Sequence, residues 1–179
     1  MDPATSCLQL RLRVPRSPAR VASVRRLLTH ALTAIGVVPG CRDDVVLAVN
    51  EACSNVVDHA PAVYEYDVAV TVDATWCVAE VFDCGPGMTE PWRDRHRGPR
   101  ALRGRGLHLI RVVTDNVELR AVHPHGLAIR MTKRLSWEGE MPAGWTADAY
   151  EHWTVLDNRT PRTNGSAAAH PDGQTVTFL

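Results

Sequence analysis

Two hydrophobic periodicities alternate along the chain, and their order predicts its secondary structure. Alternating apolar residues, together with segments rich in valine, predict five β-strands, at about 8–14, 65–73, 76–83, 116–122 and 126–134. Apolar residues at three- and four-residue spacing predict three helices, at about 18–35, 43–60 and 106–115. Ser17-Pro18 is typical of a helix start and Gly36 of a helix end, which supports the limits of the first helix.

The order of these elements predicts the fold class. Helices separated by antiparallel strand pairs favour one mixed or antiparallel sheet with the helices on a single face. We therefore expect an α/β (α+β) two-layer sandwich, with a domain over 1–135 and a tail over 136–179. The composition of the tail predicts a linker that is partly disordered. Its tryptophans either dock on the domain or merely occur within the tail without docking. They are Trp137, Trp145 and Trp153.

Composition and charge narrow the class of protein. The chain has 179 residues, of which 45% are hydrophobic and 22% charged, and 20 basic residues balance 20 acidic ones. This balance gives no support for direct nucleic-acid binding, and no apolar run approaches the roughly 20 residues that span a bilayer. Five cysteines, an odd number without a C-x-x-C pair, indicate reduced thiols. We expect a cytoplasmic protein with no membrane association.

The helix at 43–60 carries a group of polar residues on a mostly apolar segment. Glu51, Asn55 and Asp58 follow at spacings of four and three, which places them on one face. A carboxylate, an amide and a second carboxylate there suit either a solvated helix face or a polar functional site.

Asp83-Cys84-Gly85-Pro86-Gly87 follows a predicted strand and forms a second polar group. Two glycines lack Cβ atoms, so the backbone can approach a flat ligand closely. A carboxylate at the strand end, facing the helical layer, can accept hydrogen bonds from an exocyclic amino group such as that of adenine. A tight turn without a ligand explains the same residues.

Gly104-Arg105-Gly106 opens the third predicted helix. Backbone N–H groups at a helix start bind phosphate, and an arginine there can add charge-assisted hydrogen bonds. The chain has neither a Walker A loop nor a Rossmann fingerprint. The preceding loop, 88–103, carries five arginines and is interpreted either as a functional lid or as a solvated loop.

These three motifs, in this order, resemble the GHKL ATPase and kinase superfamily with its Bergerat-type nucleotide fold. Within it the chain is most similar to the anti-sigma regulatory factors with serine/threonine kinase activity. The run Val49-Asn50-Glu51-Ala52-Cys53-Ser54-Asn55, followed by His59-Ala60, carries this likeness. The resemblance covers about 8–134 and leaves the tail unmatched.

The resemblance implies a site for ATP and Mg²⁺. It makes Glu51 the general base and Asn55 the Mg²⁺ ligand, and it assigns recognition of the adenine amino group to Asp83. The other residues that it places in the ATP site are Asp58, Gly85, Gly87, Gly104, Arg105, Gly106 and Leu107. Asp58 either reaches the nucleotide through water or only holds the helix in place.

The resemblance also implies partners. The substrate would be a STAS-type anti-anti-sigma protein phosphorylated on serine or threonine, and the second partner a sigma factor. Homodimerisation is implied in the same way. The arginines of the first helix, Arg20, Arg25 and Arg26, are either solvated or part of a partner-binding surface.

One position departs from the family pattern. Members usually carry a glycine–threonine pair at the start of the last strand, with the hydroxyl near the adenine, whereas Gly126 is followed by Leu127 here. This departure favours an alternative function, a non-enzymatic regulator in which nucleotide sets the shape of a partner-binding surface. Glu51, the implied base, favours the kinase.

Overall fold

The computed structural model describes residues 8–60, 64–83, 106–121 and 126–145. Its elements are β1 (Leu8–Pro15), α1 (Pro18–Ala34), α2 (Pro39–His59), β2 (Glu65–Val72), β3 (Trp76–Asp83), α3 (Gly106–Val113), β4 (Asn116–Ala121) and β5 (Leu127–Arg134). The type and order of all the predicted elements are confirmed. Helix α2 begins at Pro39, ahead of the apolar stripe, because proline is tolerated in the first turn, where its missing N–H would have no partner.

The five strands form one sheet in the order β1-β2-β3-β5-β4, and every neighbouring pair is antiparallel. Val68 of β2 lies opposite Val81 of β3, and Asp83 lies opposite Leu127 of β5. The predicted sandwich is therefore confirmed, with an antiparallel rather than a mixed sheet.

Helix α2 is the centre of the helical layer. It packs against α1 on one side, α3 on the other, and β3 and β5 below. Its buried residues are Val45, Ala48, Val49, Ala52, Cys53 and Val56. They join one core with alternate residues of the sheet, among them Leu12, Val70, Ala79 and Met131. We call the side of the sheet that carries these residues the helical face.

Two of the three tail tryptophans dock on the domain. Trp137 forms a backbone bridge with Val37, and its indole Nε1–H donates a hydrogen bond to the Ala74 carbonyl at 2.9 Å. Trp145 meets Trp137 edge to face, with ring centroids 5.7 Å apart, and both rings pack against the core. Trp153 lies outside the described residues, and the predicted boundary at 135 stays a prediction.

Among the described residues, no helix is both long and apolar enough to cross a bilayer. The thiols described there are free: Cys41 is half-buried, while Cys53 and Cys77 are buried. Burial raises the pKa of Cys53 to about 12 and that of Cys77 to about 12, so both stay protonated and unreactive near neutral pH.

Tyr66 on β2 places its hydroxyl inside the core. Its side chain is 2% exposed, and the hydroxyl has no hydrogen-bond partner of acceptable geometry. The Cys53 thiol lies close enough to interact with it, but a thiol is a weak partner. Burial raises the pKa of Tyr66, with the Cys53 thiol adding to the effect. On folding, the hydroxyl therefore loses its hydrogen bonds to water and gains no hydrogen bond of comparable strength.

We expect Tyr66→Phe to leave the fold intact and to raise the free energy of unfolding by about 0.5–1 kcal/mol, because it removes a buried hydroxyl that lacks a partner. Chemical denaturation measures this. Tyr64→Phe is the matched control, since Tyr64 is 91% exposed and its change should have no effect. A loss of about 1 kcal/mol or more in Tyr66→Phe would mean that the hydroxyl has a partner.

Candidate ATP site between α2 and α3

The start of α3 lies directly against two polar side chains of α2. A Cβ atom built on Gly106 would lie 3.1 Å from Asn55 Oδ1 and 3.1 Å from Glu51 Oε2. Such contacts are tighter than ordinary packing, so a larger residue at 106 would push the two side chains away. The structure thus brings together three of the predicted site residues, from positions about fifty residues apart in the sequence.

Helix α3 is held in this position by its apolar side. Leu107 and Ile110 are buried in the core, so the first turn of the helix cannot move away from α2 without exposing them. The first N–H groups of a helix have no partner within it and carry partial positive charge. An anion at the start of α3 would therefore meet backbone donors, with a carboxylate and an amide beside it.

A second close contact made by a glycine lies at the strand end that is predicted to hold the adenine. Asp83 is 8% exposed and shares the helical face with Val81, which places it toward the helical layer, as expected. Gly126 has φ +146°, and a Cβ there would collide with the Asp83 carbonyl oxygen. Only glycine fits such a position. Leu127 lies directly opposite Asp83, so an apolar side chain stands where the family pattern has a hydroxyl.

Asp58 is placed apart from this contact. It is exposed near the end of α2, two helical turns or about 10 Å beyond Glu51. It borders a groove of about 290 Å³ between α1 and α2, together with Arg25, Ser54 and Val57. Its predicted part in ATP binding stays a prediction.

Four predicted site residues lie outside the described residues: Gly85, Gly87, Gly104 and Arg105. The arginine-rich loop 88–103 lies outside them as well. Their roles stay predictions.

Lys133 is a further residue of this region, and no sequence pattern singles it out. Its Nζ bonds Asp44 Oδ2 at 2.7 Å and the Val113 carbonyl at 2.9 Å, so one β5 side chain joins the first part of α2 to the end of α3. Burial alone would lower the pKa of Lys133, but the hydrogen bond and charge of Asp44, with Asp115, raise it overall. The cation is present below that raised pKa, so the link weakens only in strongly alkaline solution. It fixes α3 relative to α2 at the end opposite Gly106.

Comparison with known proteins identifies the domain. Residues 14–133 match the family described as histidine kinase-like ATPase domain. The chain belongs to this family. The likeness to the GHKL superfamily and to its anti-sigma kinases is confirmed, and the family implies the use of ATP.

Named relatives of this ATPase domain are serine-protein kinases. It is 22% identical over 156 residues to serine-protein kinase RsbW of Bacillus thuringiensis (strain Al Hakam), covering 81% of this chain and 96% of the relative. The same figures hold for serine-protein kinase RsbW of Bacillus anthracis (strain CDC 684 / NRRL 3495).

A solved structure shares the fold. It is the crystal structure of the RsbU and RsbW domains of Rv1364c from Mycobacterium tuberculosis, at a TM-score of 0.55 and 21% identity. The match covers 74% of this ATPase domain's chain but 34% of the other, so this chain spans about a third of that protein.

The residues present fit ATP with a magnesium ion. The described residues contain no group of three or more His, Cys, Asp or Glu side chains that could hold a metal by themselves. Mg²⁺ does not need such a cage, because it keeps several waters and is commonly bound by one or two protein oxygens plus substrate phosphates. Asn55 Oδ1 at the start of α3 can supply one such oxygen.

We expect Gly106→Ala to weaken MgATP binding about tenfold, because the added methyl group displaces the ends of Glu51 and Asn55. Isothermal titration calorimetry with MgATP measures this. The matched control is Gly40→Ala in the first turn of α2, where an added Cβ meets no atom within 4 Å. That variant should bind ATP normally and gain about 0.5–1 kcal/mol of stability. Equal affinities in the two variants would contradict the close contact.

Proposed function

We propose that this chain is an ATP- and Mg²⁺-dependent serine/threonine protein kinase. The observation that carries the proposal is the contact of Glu51 and Asn55 with Gly106, since it places a carboxylate and an amide oxygen beside the N–H groups that open α3. The names of the relatives support the same reaction. A phosphoryl transfer needs little more from the protein than positioning, a charge partner and a base.

The proposed roles follow from the chemistry of each group. Glu51 takes the proton from the substrate hydroxyl as that oxygen forms its bond to the γ-phosphorus and the bond to the ADP oxygen breaks. Asn55 would hold Mg²⁺, and the ion would neutralise charge on the phosphates. Asp83 accepts a hydrogen bond from the adenine amino group. Gly106 lets the phosphates approach the helix start, with Gly104, Arg105 and Leu107 beside it, and Gly85 and Gly87 shape the base site.

The proposed protein substrate is a STAS-type anti-anti-sigma protein, and the proposed second partner is a sigma factor, so that phosphorylation would control transcription by partner switching. Arg25 and Arg26 are exposed on α1 and could contribute to such a surface. Homodimerisation and a cytoplasmic location belong to the same proposal.

A second candidate function, a regulator without kinase activity, is favoured by one observation. Leu127 lies opposite Asp83, so the base site lacks the hydroxyl that the family pattern supplies. Nucleotide would then act only by setting the shape of the partner-binding surface. The two candidates differ in whether phosphate leaves the nucleotide for a protein.

We expect Glu51→Gln to reduce phosphate transfer by about 10²–10⁴-fold while MgATP still binds within about threefold of the parent, because an amide cannot accept the proton. The rate of transfer is measured with radiolabelled ATP and candidate STAS proteins. The affinity for MgATP is measured by calorimetry. Glu65→Gln, an exposed position on β2, is the matched control.

Normal transfer by Glu51→Gln would refute the assignment of the base. A parent protein that binds MgATP but transfers phosphate to none of the candidate STAS proteins would favour the second candidate function. Asn55→Ala should lose Mg²⁺-dependent binding instead, which separates the metal ligand from the base.

We expect Leu127→Thr to tighten ATP binding about fivefold, because one added hydrogen bond to the base is worth about 1 kcal/mol. Calorimetry with ATP and GTP measures the gain and its dependence on the base. Leu127→Val, which matches the shape of threonine without the hydroxyl, is the control. An equal change in both variants would show that the hydroxyl does not meet the base.

A further inference from the structure

The sheet has a second face, turned away from the helices, and the centre of that face is buried. Its buried residues are Ala69, Thr71, Val78, Glu80, Phe82, Ala128 and Thr132. Val78 is 0% exposed and Thr132 is 3% exposed. Neither belongs to the core that the helices share with the helical face. These residues come from β2, β3 and β5, the three inner strands.

Nothing within the described ranges covers this face. All three helices pack on the helical face, and Trp137 and Trp145 join the core on that side. On the outer strands most second-face residues are exposed, among them Arg11 and Arg120, while Gln9 and Glu118 are half-buried. A valine in the middle of an uncovered sheet face would be open to water. Burial of such side chains requires a cover, and the described helices and tryptophans do not supply one.

Most segments outside the described ranges suit this role poorly. The connections 61–63 and 122–125 hold three and four residues, and 1–7 offers little apolar surface. The segment 84–105 connects β3 to α3. It carries six arginines against two acidic residues, which would add positive charge next to Arg11 and Arg120.

The segment after Trp145 has the start point, the length and the composition required. The chain reaches Trp145 beside the turn between β2 and β3, where Trp137 bonds Ala74, and Val78 lies just beyond that turn. From Val78 to Phe82 the face extends about 13 Å, which four or five extended residues cover. Residues 146–157 include four large apolar side chains, Tyr150, Trp153, Val155 and Leu156. Their charged residues are all acidic, namely Asp148, Glu151 and Asp157.

We propose that residues 146–157 dock on the second face of the sheet and cover β2, β3 and β5. The apolar side chains of the segment lie on Val78, Phe82 and their neighbours, and its acidic residues lie toward the arginines of the outer strands. The docked segment keeps this face from a second copy of the chain and from other proteins. This inference is independent of the proposed kinase activity.

The first test measures access to the second face in the full chain. The protein carries Thr132→Cys as a probe, with Cys7, Cys41 and Cys84 changed to serine, while Cys53 and Cys77 are buried and slow to react. We expect Trp153→Ser/Val155→Ser/Leu156→Ser to speed maleimide labelling of the Thr132→Cys thiol at least tenfold. The matched control removes as many apolar side chains further on, as Val176→Ser/Phe178→Ser/Leu179→Ser, and should leave the rate unchanged. Thermal unfolding verifies that each variant is folded.

An unchanged rate in the Trp153 variant would overturn the proposal, since another segment would then cover the face. A labelling rate that rises on dilution would overturn it as well, because a second copy would then be the cover. Arg11→Cys, on the exposed outer strand, should react quickly in every background and reports on the reagent alone.

A second measurement tests the same contact by cross-linking, without the triple serine substitution. Benzoylphenylalanine replaces Trp153 in the full chain, and irradiation links it to its neighbours. We expect cross-links to peptides that contain Thr71, Val78 or Thr132, within one molecule in a mixture of ¹⁴N and ¹⁵N protein. Cross-links to the helices, or between ¹⁴N and ¹⁵N chains, would overturn the proposal.

Discussion

The close approach of α3 to α2 at Gly106 is the constraint on which the candidate site depends. Glu51 and Asn55 point toward a helix start only because no Cβ stands between them and its backbone. The far end of the same helix pair is tied by Lys133, whose bonds to Asp44 and to the Val113 carbonyl hold α2 and α3 to β5. The packing of α3 on α2 is thus constrained at both ends. At one end Gly106 has no side chain, and at the other the Lys133 cation bonds both helices.

A second glycine allows a close backbone approach where the adenine is proposed to bind. Gly126 allows β5 to start directly against the backbone of Asp83, and a positive φ of 146° excludes other residues there. Two glycines from distant parts of the sequence therefore bring backbone against α2 and β3 at the two ends of the site. Neither contributes a functional group, yet each determines where a functional group lies. A substitution at either position would act on geometry before it acted on chemistry.

The elements were predictable because their patterns are local. Alternation and three-to-four spacing lie within single segments, and Glu51 and Asn55 share a helix face by spacing alone. The contact with Gly106 and the link from Lys133 to Asp44 depend on packing between distant segments. The placement of Asp58 on the same groove as Arg25 likewise required the position of α1. The buried second face did have a local signal: β3 reads WCVAEVFD, an almost continuous apolar run, as in strands covered on both faces.

Glu80 interrupts that run, and its position connects the second face with the site. A strand that is apolar on both sides specifies its register weakly, because a slip of one residue exchanges two similar faces. With Glu80 in place, the same slip would put a carboxylate into the core beneath α2, at a cost of several kcal/mol. In the observed register Glu80 lies opposite Arg130, on the second face. Asp83, three residues later, is thereby held on the helical face. A charge that the proposed reaction does not use thus fixes the direction of one that it does.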